Sequence, residues 1–221
     1  MAEAILTPEQ KRALEIVSGD ALVGKLFYLT GGTALAAYYL GHRYSDDLDF
    51  FTNESDFPQL AIEAVVTKIK TAIGAHETEY RRLHDRRIFF FKKSGEELKV
   101  EFTYYPFPQL NPPQRKEGVL IDSLEDIAAN KLMALIDRIE AKDFVDLYFL
   151  ITKGGFTLKR IAEFVKQKFD FTLDPITLGS ELAKVRTLTQ LPKVIAPLTL
   201  EALKMFFTEE AKKLRPEVIE G

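Results

Sequence analysis

In the first half of the chain, segments whose hydrophobic residues have helical spacing alternate with segments that have the spacing of a strand. Thr7-Pro8 is typical of a helix start, with Thr7 as the cap, and this helix is predicted to end near Gly19. Phe27-Tyr28-Leu29 then predicts a short buried strand, and the apolar residues 34–40 predict a helix that Gly41 ends. A tight turn containing two glycines lies between this strand and this helix.

A longer helix and several strands are predicted next. Residues 57–72 have the spacing of an amphipathic helix. Its predicted buried face contains Leu60, Ala64, Val65 and Ile69. Alternating positions predict strands near residues 77–83, 87–92 and 98–105. This order predicts an α+β fold in which a small mixed sheet is backed by helices.

A cluster of prolines separates this region from a helical second half. The prolines are Pro106, Pro108, Pro112 and Pro113. They predict a linker and a domain boundary near residue 110, with a core over residues 1–110 and a helical domain over 111–221. Asp122-Ser123 is a good helix cap. The apolar positions that follow it at helical spacing are Leu124, Ile127, Ala128, Leu135 and Ile139. Further helices are predicted near 158–169, 178–188 and 200–213.

Composition narrows the class of protein. The chain has 221 residues, of which 46% are hydrophobic, and this is enough for a sizeable core. It has no cysteine, which excludes disulfides and thiolate chemistry. The sequence shows no signal-length apolar run and no membrane-spanning stretch, so we expect a cytoplasmic protein without a membrane partner. His42, His76 and His84 lack metal-ligand spacing and are expected at the surface or in hydrogen bonds.

The net charge of −3 argues against a wholly basic nucleic-acid binder, yet one stretch is rich in cations. Its cations are Arg81, Arg82, Arg86, Arg87, Lys92 and Lys93. If they share a face, they can contact the phosphates of RNA or DNA. An ordinary solvated pair of strands explains the pattern equally well.

Two carboxylates, Asp47 and Asp49, are the most informative feature of the sequence. In an extended strand, residues two apart project from the same face, so both carboxylates point one way while Leu48 and Phe50 point into a core. Clustered oxygens of this kind suit a hard divalent cation. The same motif also occurs as a turn or a solvated strand edge, so by itself it leaves both interpretations open.

The turn Gly31-Gly32-Thr33 precedes these carboxylates. Glycines let backbone N–H groups approach a phosphate without a side chain in the way, and the helix start behind them favours negative charge. Arg43, in the loop that returns to the carboxylates, can meet phosphate oxygens through its planar fork. A helix-packing turn is the alternative. Together, the turn and the carboxylates indicate nucleotide transfer from a metal-bound triphosphate.

Three charged residues of the second half are predicted to face inward. Lys131 lies on the apolar stripe of its helix and therefore needs an anionic partner, either a triphosphate or a structural carboxylate, unless it reaches water. Asp143 and Asp146 share one face of the next helix. A partly buried carboxylate there can act as a base or orient a hydroxyl. Structural ion pairing with Lys131, Arg138 or Lys142 is the alternative.

Two blocks of sequence carry a family resemblance. The first comprises Leu29-Thr30-Gly31-Gly32-Thr33-Ala34-Leu35, Leu40-Gly41-His42-Arg43, Ser45 and Asp47-Leu48-Asp49-Phe50-Phe51. The second comprises Lys131-Leu132-Met133-Ala134-Leu135, Arg138 and the run from Lys142 to Leu150. Together they resemble the motifs of the AbiEii/AbiGii toxin family of nucleotidyltransferases, which belong to the DNA polymerase beta-like superfamily. The match extends over about residues 26 to 151.

The resemblance implies a polymerase-beta-like core followed by a helical region that completes the active site. The implied reaction moves NMP from an NTP to an acceptor hydroxyl, on RNA such as tRNA, and releases pyrophosphate. It also implies Mg²⁺ or Mn²⁺ as cofactor and a toxin with a cognate antitoxin, in a type IV-like toxin–antitoxin system. A small-molecule nucleotidyltransferase and a non-catalytic NTP-binding regulator are the alternatives.

The resemblance also assigns roles to residues. Those implied to hold metal are Asp47, Asp49 and Glu101. Those implied to bind the nucleotide are Gly31, Gly32, Thr33, Arg43, Ser45 and Lys131. Catalytic roles in addition to the metal ligands fall to Lys131, Asp143 and Asp146. The family often has Asp where this chain has Glu101, and the alternative for Glu101 is a cross-strand pair with an arginine of the basic stretch.

Overall fold

The computed structural model describes residues 5–56 and 58–214, and the chain packs into two compact units. The first, here called the sheet unit, comprises Met1–Tyr38, Ser45–Pro108 and Pro112–Ser123. The second, here called the helical unit, comprises Tyr39–Tyr44, Gln109–Asn111 and Leu124–Gly221. The domain boundary near residue 110 stays a prediction, because compact packing does not by itself establish independent folding.

Seven strands of the described residues form one mixed sheet in the sheet unit. They are β1 (Tyr28–Thr30), β2 (Asp47–Thr52), β3 (Glu77–Leu83), β4 (Arg86–Lys93), β5 (Glu96–Tyr104), β6 (Gln114–Lys116) and β7 (Val119–Ile121). The order across the sheet is β3-β4-β5-β2-β1-β7-β6. The β2–β5 and β1–β7 pairs are parallel, and the other neighbours are antiparallel. The predicted mixed sheet is confirmed, whereas β6 and β7 were not predicted because three residues are too few for a readable alternation.

The helices of the sheet unit begin with a well-capped one. They are α1 (Pro8–Gly19), α2 (Val23–Leu26), α3 (Gly31–Leu35) with a π-helical turn (Ala36–Leu40), and α4 (Gln59–Ile73). Thr7 caps α1 as predicted: its hydroxyl accepts from the N–H of Gln10, and the Gln10 side chain accepts from the N–H of Thr7. The helix predicted over residues 34–40 instead begins at Gly31 and changes to π-helical geometry after Leu35.

The predicted buried face of α4 is partly wrong. Its buried positions are Ile62, Val65, Val66, Ile69 and Ile73. Leu60 is 82% exposed, and Ala64 is exposed as well. Both lie two positions from Ile62, about 200° around the helix, and so on the opposite face. Phe57, where this helix was predicted to begin, lies outside the described residues.

Aromatic rings fill the core beneath the central strands. Phe102 of β5 packs edge-to-face on Phe27, with ring centroids 5.2 Å apart, and stacks on Phe50 of β2 at 5.4 Å. Leu48 of β2 is also fully buried. The burial of Leu48 and Phe50 confirms the predicted alternation, which leaves Asp47 and Asp49 on the other face of β2.

The helical unit contains the helices that follow Ser123. They are α5 (Leu124–Asp137), α6 (Ala141–Thr152), α7 (Leu158–Phe169), α8 (Pro175–Ala183) with a 3₁₀ turn (Lys184–Thr187), and α9 (Leu200–Lys213). Phe144 of α6 packs edge-to-face on Phe207 of α9. Ile139, predicted on the apolar stripe of α5, lies beyond the end of that helix and is 49% exposed. In the part of the chain that the structure describes, no helix combines the length and apolarity needed to cross a membrane.

Asp126, a member of a buried ion pair, holds Leu110 and Asn111 in the helical unit. The carboxylate of Asp126 on α5 pairs with the ammonium of Lys168 on α7. Asp126 also accepts hydrogen bonds from the backbone N–H groups of Leu110 and Asn111, at 3.0 and 3.1 Å. These bonds explain why Gln109–Asn111 belong with the helices although the neighbouring residues belong with the sheet.

Candidate active site

The two carboxylates lie on a central strand of the sheet. β2 is hydrogen-bonded to β1 on one side and to β5 on the other. In this register Asp49 lies between Thr30 of β1 and Glu101 of β5, and Asp47 lies beside Lys99. The sheet therefore brings three carboxylates and one ammonium group together from two parallel strands.

Gly31 packs directly against Asp49. Because Thr30 pairs with Asp49, the residue that follows Thr30 must pass close to the carboxylate. Gly31 has a φ of +71°. A Cβ atom placed there would lie 2.7 Å from Oδ2 of Asp49, so a side chain at this position would push the carboxylate aside. The glycine is therefore needed both for its backbone conformation and for the space it leaves beside the carboxylate.

The other residues of the first motif that were predicted to bind the nucleotide contact the protein itself. The hydroxyl of Thr33 is buried and donates to the main-chain carbonyl of Asp47. The main-chain carbonyl of Ser45 accepts from the side-chain amide of Gln10, at 2.7 Å. In this structure the Thr33 side chain thus fixes β2.

Lys99 lies among the three carboxylates. Its Nζ is 3.1 Å from Oδ2 of Asp47, 3.5 Å from Oε2 of Glu101 and 3.9 Å from Oδ1 of Asp49. Burial alone lowers the pKa of Lys99, but the charges of Asp49, Asp47 and Glu101 outweigh it and leave the pKa raised. Among the described residues, no three acidic, histidine or cysteine side chains already form a metal-binding group. The carboxylates are arranged instead around the ammonium.

Glu101 is engaged by its neighbours on the sheet. Arg86 of β4 donates two hydrogen bonds to its carboxylate, at 2.6 and 2.7 Å, and the Thr103 hydroxyl donates a third at 2.8 Å. Burial alone raises the pKa of Glu101, yet these hydrogen bonds and the nearby cations leave it lowered. This is the cross-strand arginine pair that the sequence left as an alternative. A role for Glu101 as a metal ligand stays a prediction.

The helical unit contains a separate buried ionic cluster around Asp146. Its carboxylate accepts from Nε and Nη2 of Arg43 at 2.6 and 2.8 Å, and it lies 2.6 Å from Nζ of Lys131. Nε2 of His42 lies 2.8 Å from the same carboxylate. Burial alone raises the pKa of Asp146, but the charges of Lys131 and Arg43 and these hydrogen bonds hold it well below its usual range. Asp146 is therefore ionised and Nε2 of His42 carries the proton.

Asp143 extends this cluster. Its carboxylate lies 3.2 Å from Nζ of Lys131 and accepts from Nε of Arg138 at 2.8 Å. The ion pairs that the sequence left as alternatives for Lys131, Asp143 and Asp146 are thus present. The guanidinium of Arg43 likewise donates two hydrogen bonds to Asp146. The predicted phosphate contacts of Arg43 and Lys131, and the catalytic roles of the two aspartates, stay predictions.

The cations of the basic stretch are largely paired with neighbours. The pairs are Arg81 with Glu79 at 2.6 Å, Lys92 with Glu77 at 3.2 Å, Lys93 with Glu9 at 2.8 Å and Arg87 with Gln59 at 2.7 Å. Together with the Arg86–Glu101 pair, these contacts favour the solvated strand pair over a phosphate-binding track.

Comparison with known proteins identifies the family of this chain. The sequence matches the family model described as "Nucleotidyl transferase AbiEii toxin, Type IV TA system" over residues 12–218. The chain belongs to the AbiEii nucleotidyltransferase toxin family. The match includes the glycine turn, the carboxylates of β2 and the ionic cluster of the helical unit. It confirms the resemblance read from the two sequence blocks and shows that the protein is a nucleotidyltransferase.

Individual proteins are also similar to this chain in sequence or in fold. An uncharacterized protein of Aquifex aeolicus (strain VF5), aq_aa25, is 36% identical over 174 residues, which cover 76% of this chain and 79% of the relative. The crystal structure of JHP933 from Helicobacter pylori is 25% identical, with a TM-score of 0.60, and the likeness covers 96% of this chain and 91% of JHP933. A candidate nucleotidyltransferase from H. pylori, 24% identical with a TM-score of 0.61, has the same fold over 96% of this chain and 94% of its own.

Sequence reasoning assigned no role to Lys99, and it did not single out Arg86 among the arginines that could pair with Glu101. The alternation of β5 places Lys99 on the face of Glu101, so the signal for Lys99 was present although no role was assigned to it. Arg86 reaches Glu101 only through the register of β4 with β5, in which Glu101 lies opposite Ile88. That register is a long-range property, and the alternation within either strand does not specify it.

Proposed function

We propose that this AbiEii-family protein transfers NMP from an NTP to an acceptor hydroxyl, in a metal-dependent reaction at Asp47 and Asp49. The hydroxyl oxygen bonds to the α-phosphorus and its proton passes to solvent. The bond from that phosphorus to the bridging oxygen breaks, and pyrophosphate leaves. The observation that carries the proposal is the packing of glycine backbone and a cation against two carboxylates on one face of β2.

The residues on this face fit a divalent metal such as Mg²⁺ or Mn²⁺. The donors are hard carboxylate oxygens, which both ions prefer. The Lys99 ammonium among them supports a site built for positive charge. Asp47 and Asp49 would hold the ion, and Glu101 would join them if Arg86 released it. When bound, such an ion neutralises triphosphate charge and makes the attacking hydroxyl more acidic.

The backbone of Gly31-Gly32-Thr33 is proposed to hold the phosphates. Two consecutive glycines at the start of α3 support this, because a glycine has no side chain of its own to keep a phosphate from its N–H group. The Thr33 hydroxyl is engaged with β2, so its proposed contribution is the main-chain N–H. A contribution from Ser45 remains part of the same proposal.

The helical unit is proposed to contribute charge and order rather than a base. The pKa of Asp146 lies well below its usual range, and a carboxylate of such low basicity is a poor proton acceptor at neutral pH. We therefore propose that Asp146 positions Lys131 and Arg43. For Lys131 to neutralise a triphosphate, as the sequence predicts, it must exchange one of its carboxylate partners, Asp143 or Asp146, for phosphate.

The family's description as the toxin of a type IV toxin–antitoxin system supports a protein partner for this chain. We propose RNA, such as tRNA, as the acceptor, a cognate antitoxin as the protein partner, and the cytoplasm as the location. Four of the six cations in the basic stretch pair with carboxylates, and this favours a second candidate, a small-molecule acceptor.

The test is transfer of label from each of four α-labelled NTPs, with magnesium, to total tRNA, to small-molecule extract and to the protein itself. The wild type is compared with Asp49→Asn and with Asp46→Asn, a neighbouring exposed carboxylate outside β2. We expect label on RNA with wild type and Asp46→Asn and none with Asp49→Asn. Label only in the small-molecule pool would replace RNA as acceptor, and equal transfer by Asp49→Asn would reject the site.

A further inference from the structure

Lys99 is a cation placed where the proposed function requires a metal ion. We propose that its ammonium is an internal counter-ion that a divalent metal must displace, so that Lys99 sets the metal affinity of the protein. The inference rests on the proposed function, because it takes Asp47 and Asp49 as the metal ligands.

The register of the sheet explains why Lys99 reaches all three carboxylates. It lies directly beside Asp47 across the β2–β5 pair and two residues before Glu101 on the same face of β5. From there its Nζ lies within 3.1–3.9 Å of oxygens from Asp47, Glu101 and Asp49. A single cation that touches three carboxylates occupies the centre of the group, which is also where a shared metal ion binds.

The charges of the group favour exchange over simultaneous occupancy. Asp47, Asp49 and Glu101 carry three negative charges, and Lys99 and Arg86 supply two positive ones at contact distance. A divalent ion in the place of Lys99 would balance the remaining charges. An ion added beside the ammonium would meet a like charge at short distance, which is unfavourable.

The Lys99 side chain has the freedom to leave. It is 22% exposed, so solvent is accessible from its present position. A lysine ammonium stands on a flexible four-carbon stem and is well hydrated when it swings outward. Arg86, in contrast, holds Glu101 through two parallel hydrogen bonds, and such a fork is less readily exchanged. Of the two cations, Lys99 rather than Arg86 is therefore the one that a metal ion displaces.

The experiment measures Mn²⁺ binding to the full chain without nucleotide, by electron paramagnetic resonance of the free ion. Lys99→Met keeps an unbranched side chain, one atom shorter than lysine, and removes the charge. Lys92→Met is the matched control, because Lys92 lies on the neighbouring strand and pairs with Glu77 and Glu79 instead. Asp49→Asn reports whether binding occurs at the proposed ligands.

We expect Lys99→Met to bind Mn²⁺ at least about tenfold more tightly than wild type, the effect of removing one like charge within a few ångströms. Lys92→Met should bind as wild type does, and Asp49→Asn should weaken binding. Mn²⁺ should also raise the melting temperature of Lys99→Met more than that of wild type. Lys99→Gln, measured in parallel, keeps the test decisive if methionine disturbs the strand.

Two contrary results distinguish failure of the Lys99 proposal from failure of the proposed metal site. If wild type binds Mn²⁺ in an Asp49-dependent way and neither Lys99 variant binds it more tightly, the counter-ion proposal is overturned while the metal site stands. If neither wild type nor the Lys99 variants bind Mn²⁺ at millimolar concentration, the metal assignment within the proposed function is rejected, and the role of Lys99 is rejected with it.

Discussion

Replacing Asp146 with Asn should destabilise the protein strongly. The carboxylate is fully buried and neutralises two buried cations, Arg43 and Lys131, while it also accepts from His42. Asparagine has nearly the same shape, so the substitution changes charge rather than packing. It leaves the guanidinium and the ammonium in the interior with one carboxylate, Asp143, which already pairs with Arg138.

The expected size of the loss follows from the contacts. Removing one partner of a buried ion pair costs about 3–5 kcal/mol, because the remaining charge stays desolvated. Asp146 makes contacts of 2.6–2.8 Å to three side chains, so the upper part of that range applies. For a chain of this size, about 2–4 °C of melting temperature is lost per kcal/mol, which gives a fall of roughly 8–20 °C.

Urea denaturation of wild type and Asp146→Asn measures this difference as a change in the free energy of unfolding. Glu163→Gln is the control, because it removes one charge from an exposed pair with Arg160 in the same unit and should leave stability nearly unchanged. A loss below about 1 kcal/mol in Asp146→Asn would refute the reasoning, since a buried ion pair that is broken costs more. The cluster would then be open to solvent or able to rearrange.

Two further predictions concern Gly31 and His42. Gly31→Ala should lose about 1 kcal/mol of stability, because the positive φ strains an alanine. It should also lose transfer activity, because the added Cβ displaces Asp49. Gly95→Ala has the same backbone strain but open space around the Cβ, so it should keep its activity. Burial lowers the pKa of His42, so below about pH 6.5 the unfolded chain takes up a proton that the folded chain refuses. Urea titrations from about pH 7 to pH 5 should show the free energy of unfolding falling, and it should fall less steeply in His42→Gln.

Each of these predictions has a contradicting result. Full activity in Gly31→Ala would mean that Asp49 can move without consequence. An equal pH slope in wild type and His42→Gln would mean that protonation of His42 is accommodated in the folded state. Nδ1 of His42 is buried and has no hydrogen-bond partner among the described residues, so a proton there would lack an acceptor.

The face of β2 could be predicted from sequence because alternation is a local property. Leu48 and Phe50 are apolar and are buried, so the orientation of Asp47 and Asp49 follows directly. The position of Lys99 among the carboxylates does not follow in this way. It depends on the parallel register of β2 with β5, in which Asp47 lies beside Lys99. In the sequence these two strands are separated by β3 and β4.

The inward-facing charges show the same limit. The helical spacing predicted that Lys131 faces the interior and needs an anion, and it is buried. Spacing could not choose between a phosphate and a carboxylate. Arg43 illustrates the reason, because its partner Asp146 lies 103 positions away along the chain. A contact at that separation is decided by the packing of the whole unit rather than by local pattern.

The most direct test of nucleotidyl transfer is the balance of products from one reaction. With NTP labelled separately at the α and γ positions, wild type should place NMP on the acceptor and release an equal amount of pyrophosphate, and Asp49→Asn should do neither. Release of inorganic phosphate, or of pyrophosphate without NMP on any acceptor, would contradict transfer at Asp47 and Asp49 and indicate hydrolysis or phosphoryl transfer instead.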